Sequence, residues 1–109
     1  MKPEKKIIVT RHMAAAYFIR EELPEFNYAP VLASATADDV RGAVVAGNLP
    51  LHLAALAAEV VAVEFGGAPP RGAEYGIEEM RAAGARLARY RVESLPDLEP
   101  PKAPRGAIL

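Results

Sequence analysis

Thr10-Arg11-His12 follows directly on the β-branched run Ile7-Ile8-Val9, and Gly47-Asn48 follows directly on Val44-Val45-Ala46. An arginine presents a planar fork of N–H donors suited to phosphate oxygens, an asparagine amide donates to a phosphate or a ribose hydroxyl, and an imidazole gives or takes a proton near neutrality. These are groups for holding a phosphate and moving a proton beside it. Each motif is followed by helix-forming sequence, Met13-Ala14-Ala15-Ala16-Tyr17-Phe18 in the first case and Leu51-His52-Leu53-Ala54 in the second. A helix N-terminus adds unpaired amides and a partial positive charge. The turn Gly47-Asn48-Leu49-Pro50 thus supplies an amide, a close backbone approach at the glycine and a helix start, with proline at the first helical position.

Each of these residues also has an ordinary reading. Arg11 is a phosphate ligand or an ion-paired surface residue; His12 is a general acid or base or a helix-start residue bonded to backbone. Asn48 is a ligand donor or a turn residue, and Thr10 a donor or a strand-end threonine. His52 lies two residues into a helix and either faces the crevice or packs against a neighbour. Arg71, flanked by glycine and proline, closes over a ligand or is solvated.

The elements that must carry these residues follow from pattern. Ile7 to Val9 is read as a buried parallel strand and Met13 to Glu22 as a helix closed by Leu23-Pro24, because a residue before proline is pushed out of the α region. Val31 to Ala33 is a short second strand. Thr36 caps a turn of helix whose first turn holds Asp38 and Asp39. Those aspartates could also be read as a metal pair, but neighbouring helical residues diverge by about 100°. Val44 to Ala46 is the next strand, and helix is expected from Pro50 to about Glu59. Val60 to Phe65 is a further strand, and after the loop Gly66 to Gly72 comes helix from Ile77 to about Gly84, then an edge strand through Val92. Residues 94–109 carry four of the ten prolines and read as an extended or disordered tail. Strands alternating with helices predict a small Rossmann-like α/β domain over residues 1–93, three layers deep, with a mostly parallel sheet. Ligands of such sheets bind outside the carboxyl ends of the strands, where Thr10-Arg11-His12 and Gly47-Asn48 would lie.

Composition narrows the chemistry further. The 109 residues are 51% hydrophobic, enough for one modest core. Thirteen Lys plus Arg against 14 Asp plus Glu leave a net charge of −1, which gives no broad basic surface for long nucleic acid. Arg81, Arg86, Arg89 and Arg91 are offset by Glu78, Glu79 and Glu93 and read as a solvated face. The absence of cysteine excludes disulfides, thiol catalysis and thiolate metal sites, and two histidines are too few for an imidazole-built zinc site, so no metal or cofactor is expected. The Lys-rich start is not followed by a signal-peptide core, and nowhere do roughly 18 apolar residues run together, so a cytoplasmic protein without a membrane span is expected.

Taken together, Ile8-Val9-Thr10-Arg11-His12, Gly47-Asn48-Leu49-Pro50-Leu51-His52-Leu53-Ala54, Pro70-Arg71-Gly72-Ala73-Glu74 with Glu79-Met80, and Tyr90-Arg91-Val92 resemble a small CRISPR-associated accessory family of type III loci, the sixteenth Csx family. The similarity spans residues 7–93 in order. Met13-Ala14 stand where that family often has Pro-Gly, and Tyr75-Gly76 where a leucine and a polar residue are usual. The resemblance implies a ring nuclease, an enzyme that linearises a cyclic oligoadenylate messenger, foremost the tetra-adenylate, by metal-independent attack of a ribose 2'-hydroxyl. It implies Arg11, His12 and Asn48 as catalytic residues and Thr10, Gly47, Leu49, Pro50, His52 and Arg71 as ligand-binding ones. The two-fold symmetry of a cyclic tetra-adenylate further implies a homodimer with the ligand between subunits. The alternatives are a sensor or sponge that holds the nucleotide uncut and, because Arg11-His12 ends a first strand, a histidine-phosphatase-like enzyme.

Overall fold

The computed structural model describes residues 4–68, 75–96 and 98. Five strands alternate with four helices: β1 Lys6–Val9, α1 Met13–Glu22, β2 Val31–Leu32, α2 Ala37–Val40, β3 Val44–Gly47, α3 Leu51–Ala54, β4 Glu59–Phe65, α4 Ile77–Ala82 and β5 Ala85–Tyr90. They form one sheet in the order β2-β1-β3-β4-β5, parallel except for β5, which pairs antiparallel with β4. The expectation of an α/β fold with a mostly parallel sheet holds, and the expected edge strand is present, ending at Tyr90 rather than Val92 and running antiparallel to β4.

The side-chain period of two sorts the strands onto two buried faces. Ile7, Val9, Val45 and Val60 pack with Val40, Ala43, Ala54 and Ala57 of the α2 and α3 regions. Ile8, Val44, Ala46 and Val61 pack with Ala16, Ile19, Phe26 and Ala29 on the α1 side. Helix α4 joins the second face, where Met80 meets Ala15 and Phe18. Two helical layers therefore sandwich the sheet, and central strands buried on both faces read as continuous apolar runs.

Local chemistry sets the element ends. Leu23 closes α1 by donating to the Ile19 carbonyl, and Pro24 starts a 3-10 turn through Phe26. The Arg20 guanidinium then donates to the carbonyls of Phe26 (3.3 Å) and Ala29 (2.8 Å), which aims the chain back into β2. Thr36 and Asp39 form a capping box at the start of α2, each side chain accepting from the other's amide. That bond to the Thr36 amide, reinforced by the Thr36 hydroxyl, holds the Asp39 carboxyl below its ordinary range. Asp38 pairs instead with Arg41 at 2.6 Å, so the two aspartates have separate structural partners.

Helix α3 is shorter than its sequence suggests. The alanine-rich run favours continued helix to Glu59, but α3 ends at Ala54, and Pro50, expected as the first helical residue, is instead the N-cap, so the helix begins one residue later at Leu51. The Ala58 amide donates to the Ala43 carbonyl and Gly42 donates to the Leu56 carbonyl, tying this stretch to the chain entering β3. Glu59 must then pair with Val44 as β4 begins. Sheet pairing and burial of Ala57 override helix propensity here. Elsewhere, β5 starts after Gly84, whose φ of +78° suits the left-handed turn that ends α4. Of the proline-rich segment, residues 94–96 and 98 are exposed coil, and the remainder lies outside the described residues.

Candidate functional site

The chain leaves β1 toward β2 on one side and, after returning, continues from β3 toward β4 on the other, so the strand order reverses between β1 and β3. Connections diverging to opposite faces open a crevice beyond the strand ends at that point. A cleft of about 300 Å³ occupies it, with Thr10, Arg11, His12, Gly47 and Asn48 at its polar wall. Its apolar lining comes from Val9, Ala15, Val63, Phe65 and Met80.

Gly47 explains how the two strand ends come so close. It pairs with Val9 across the sheet at φ +127°, and a Cβ built there would lie 2.0 Å from the Val9 carbonyl oxygen. Only glycine fits this backbone contact. The sequence suggests that this glycine admits a ligand; in the structure it admits β1.

The loop into α1 is shaped by Thr10. Its amide donates to the Leu32 carbonyl at 2.9 Å, and its hydroxyl accepts from the His12 amide at 3.1 Å. That hydroxyl is therefore committed to the turn. His12 is the N-cap of α1 with extended backbone, but its side chain makes no capping bond, and the first turn of α1 contains no acidic residue. The imidazole instead lies against the Tyr75 ring, with centroids 4.9 Å apart and planes tilted by 31°. Arg11 and Asn48 are exposed at the rim, and among the described residues Arg11 has no carboxylate partner. The described lining contains no carboxylate, so among the described residues the charged and polar groups at this wall are a cation, an amide and a helix terminus.

The other predicted residues are placed differently. Leu49 packs on the opposite sheet face and lines a separate apolar groove with Leu51, Tyr90 and Val92. Asn48 borders both clefts. Pro50 and His52 are exposed and line neither, and Arg71 lies outside the described residues.

Four lining residues had little or no sequence signal for this role. Val63 and Phe65 alternate with Glu64 along β4, which marks a buried face but not a cleft. Met80 is carried in by α4, which is held to α1 by Arg81: its guanidinium pairs with Glu21 and lies 5.3 Å from the Phe18 ring centroid. Tyr75 reaches His12 from the β4–α4 connection, a contact that no local period announces.

Two arginines of β5 are paired with carboxylates of β4. Arg86 pairs with Glu64 at 3.0 Å, and Arg89 grips Glu59 with two bonds of 2.8 and 2.9 Å. The second grip holds the Glu59 carboxyl below its ordinary range. The Glu64 carboxylate, as acceptor from the Tyr90 hydroxyl, pushes that phenol up. Among the described residues no three His, Asp or Glu side chains converge as metal ligands, and no helix is long and apolar enough to cross a membrane.

The strand order and the crevice define a small doubly wound α/β domain with a cleft at its topological switch point. The chain matches, over residues 7–93, the model of the family described as "Putative CRISPR-associated protein (Cas_VVA1548)", and it belongs to that family. No curated protein and no solved structure matches it.

Proposed function

We propose that this CRISPR-associated protein is a ring nuclease of type III systems that binds a cyclic oligoadenylate, foremost the tetra-adenylate, and opens it. The observation that carries this reading is the crevice between β1 and β3, where Arg11, His12 and Asn48 converge with a helix N-terminus and the described lining has no carboxylate. The motif resemblance over the same span supplies the substrate class.

The chemistry asked of these residues is modest. A ribose 2'-oxygen attacks the adjacent phosphorus, its proton passes to a base, the bond from phosphorus to the 5'-oxygen breaks, and that oxygen takes up a proton. The products are a 2',3'-cyclic phosphate and a 5'-hydroxyl. Aligning the attacking oxygen and steadying charge on the phosphate are the main tasks. Arg11 and the first amides of α1 steady the non-bridging oxygens, Asn48 donates to phosphate or ribose, and His12, its ring backed by Tyr75, moves the proton. A tetra-adenylate ring has two-fold symmetry, so a homodimer offers it two matching crevices.

The test is incubation of purified protein with radiolabelled cyclic tetra-adenylate in EDTA. The expected product is linear oligoadenylate with a cyclic phosphate terminus. Retained binding with no linear product over hours would leave a sensor or sponge, and no binding at all would remove both readings.

A further inference from the structure

A second cleft, of about 520 Å³, adjoins the crevice and is sorted from it by chemistry. Its lining includes Tyr17 of α1, Tyr75, and Glu78 and Glu79 at the start of α4. Tyr75 lines both clefts and divides them. Among the described residues the crevice holds cation and amide but no carboxylate, whereas this cleft holds two carboxylates and no cation. A phosphate is attracted to the first and repelled by the second. An uncharged aromatic group with N–H donors suits the second: tyrosine faces stack on it and a carboxylate accepts from it. Tyr17 is 52% exposed, although aromatic rings ordinarily bury most of their surface, and Glu78 makes no ion pair among the described residues. Glu79 is partly engaged, one oxygen accepting from the Gly76 amide at 3.1 Å.

The geometry points to a nucleobase subsite in the Tyr17–Tyr75 cleft, which takes an amine-bearing purine while its phosphate occupies the Arg11–His12–Asn48 crevice. This deepens the proposed function and rests on it for the identity of the full ligand. Tyr75 then has two contacts to make, with the base on one side and the His12 ring on the other. Occupancy of the base site is thereby coupled to the placement of the imidazole.

The subsite is tested with mononucleotide probes that do not depend on ring opening. AMP and ribose 5-phosphate are titrated into the full chain and followed by NMR. AMP should bind at least about tenfold more tightly, in line with one base stacked on aromatic side chains. Tyr17→Leu, at an exposed position outside the phosphate crevice, should cut that preference below about threefold while leaving ribose 5-phosphate affinity within about twofold, and Tyr17→Phe should retain the preference. Equal or undetectable affinity for the two probes, or an unchanged preference in Tyr17→Leu, overturns the subsite. A preference for AMP that Tyr17→Leu removes, in a protein that neither binds nor cuts cyclic tetra-adenylate, upholds the subsite and removes the ring-nuclease reading. Turnover of cyclic tetra-adenylate without any AMP preference does the reverse.

Discussion

Arg11 and Arg89 sit at opposite ends of one sheet, and only Arg89 meets a carboxylate among the described residues. At the amino ends of the parallel strands, Arg89 grips Glu59 beside Glu4, Lys6 and Glu25, so opposite charges are interleaved and largely cancel. At the carboxyl ends, Arg11 stands with an imidazole, an amide and the uncapped start of α1. A fork satisfied by its own chain has little left for a ligand. The same side-chain type therefore reads as scaffold at one end and as reagent at the other, and what separates them is the company each keeps.

The largest expected effect lies where the two strand ends touch. Gly47→Ala forces a Cβ into the Val9 carbonyl and a non-glycine residue to φ +127°, and should cost at least about 2 kcal/mol, read as a lowered denaturant midpoint. An unaltered midpoint would mean that β1 and β3 do not meet as described. Next comes the contrast itself. Arg11→Ala should weaken binding or turnover of cyclic tetra-adenylate by at least about tenfold, roughly 1.4 kcal/mol, the size of one charged hydrogen bond. Arg89→Ala should leave both unchanged in the same assay. Equal losses from the two substitutions would erase the distinction between the ends.

The smallest effect is one of acidity. Because Arg89 holds the Glu59 carboxyl below its ordinary range, the folded state binds that proton less readily than the unfolded chain. The resulting stabilisation is present above the ordinary glutamate value of about 4.3 and is lost as pH falls through the depressed folded value. Denaturant midpoints measured down through this window should fall less steeply for Glu59→Gln than for the unsubstituted protein. The difference should shrink at high salt, since the Arg89 side of the pair is largely exposed. Parallel profiles would show that the pair exerts no hold in solution.

Local signals carried much of the fold. Ile7-Ile8-Val9 and Val44-Val45-Ala46 could be little but buried strands, Leu23-Pro24 stops α1 by backbone sterics, and Thr36 with Asp39 caps α2 within four residues. The end of α3 was not legible, because it depends on the Ala58 amide donating to the Ala43 carbonyl and on the onset of β4 at Glu59 rather than on a local stop signal. The site divides in the same way. Thr10-Arg11-His12 and Gly47-Asn48 were readable because each caps a recognisable strand, and strand order then brings them together. Leu49 and His52 follow the same motif, but Leu49 packs over the opposite face just before α3 and His52 is exposed on that helix. Tyr75 could not be placed on His12 from sequence, since that contact depends on where β4 and α4 return the chain.

The contact between Gly47 and the Val9 carbonyl has a bearing on how such a crevice diversifies. Its gauge is set by backbone against backbone, not by the side chains that line it. The spacing of β1 and β3 beneath Arg11, His12, Asn48 and Tyr75 is thus held by main chain rather than by those side chains. A lineage can then alter what the crevice holds while inheriting its aperture, with the glycine as the one fixed tooth of the gauge.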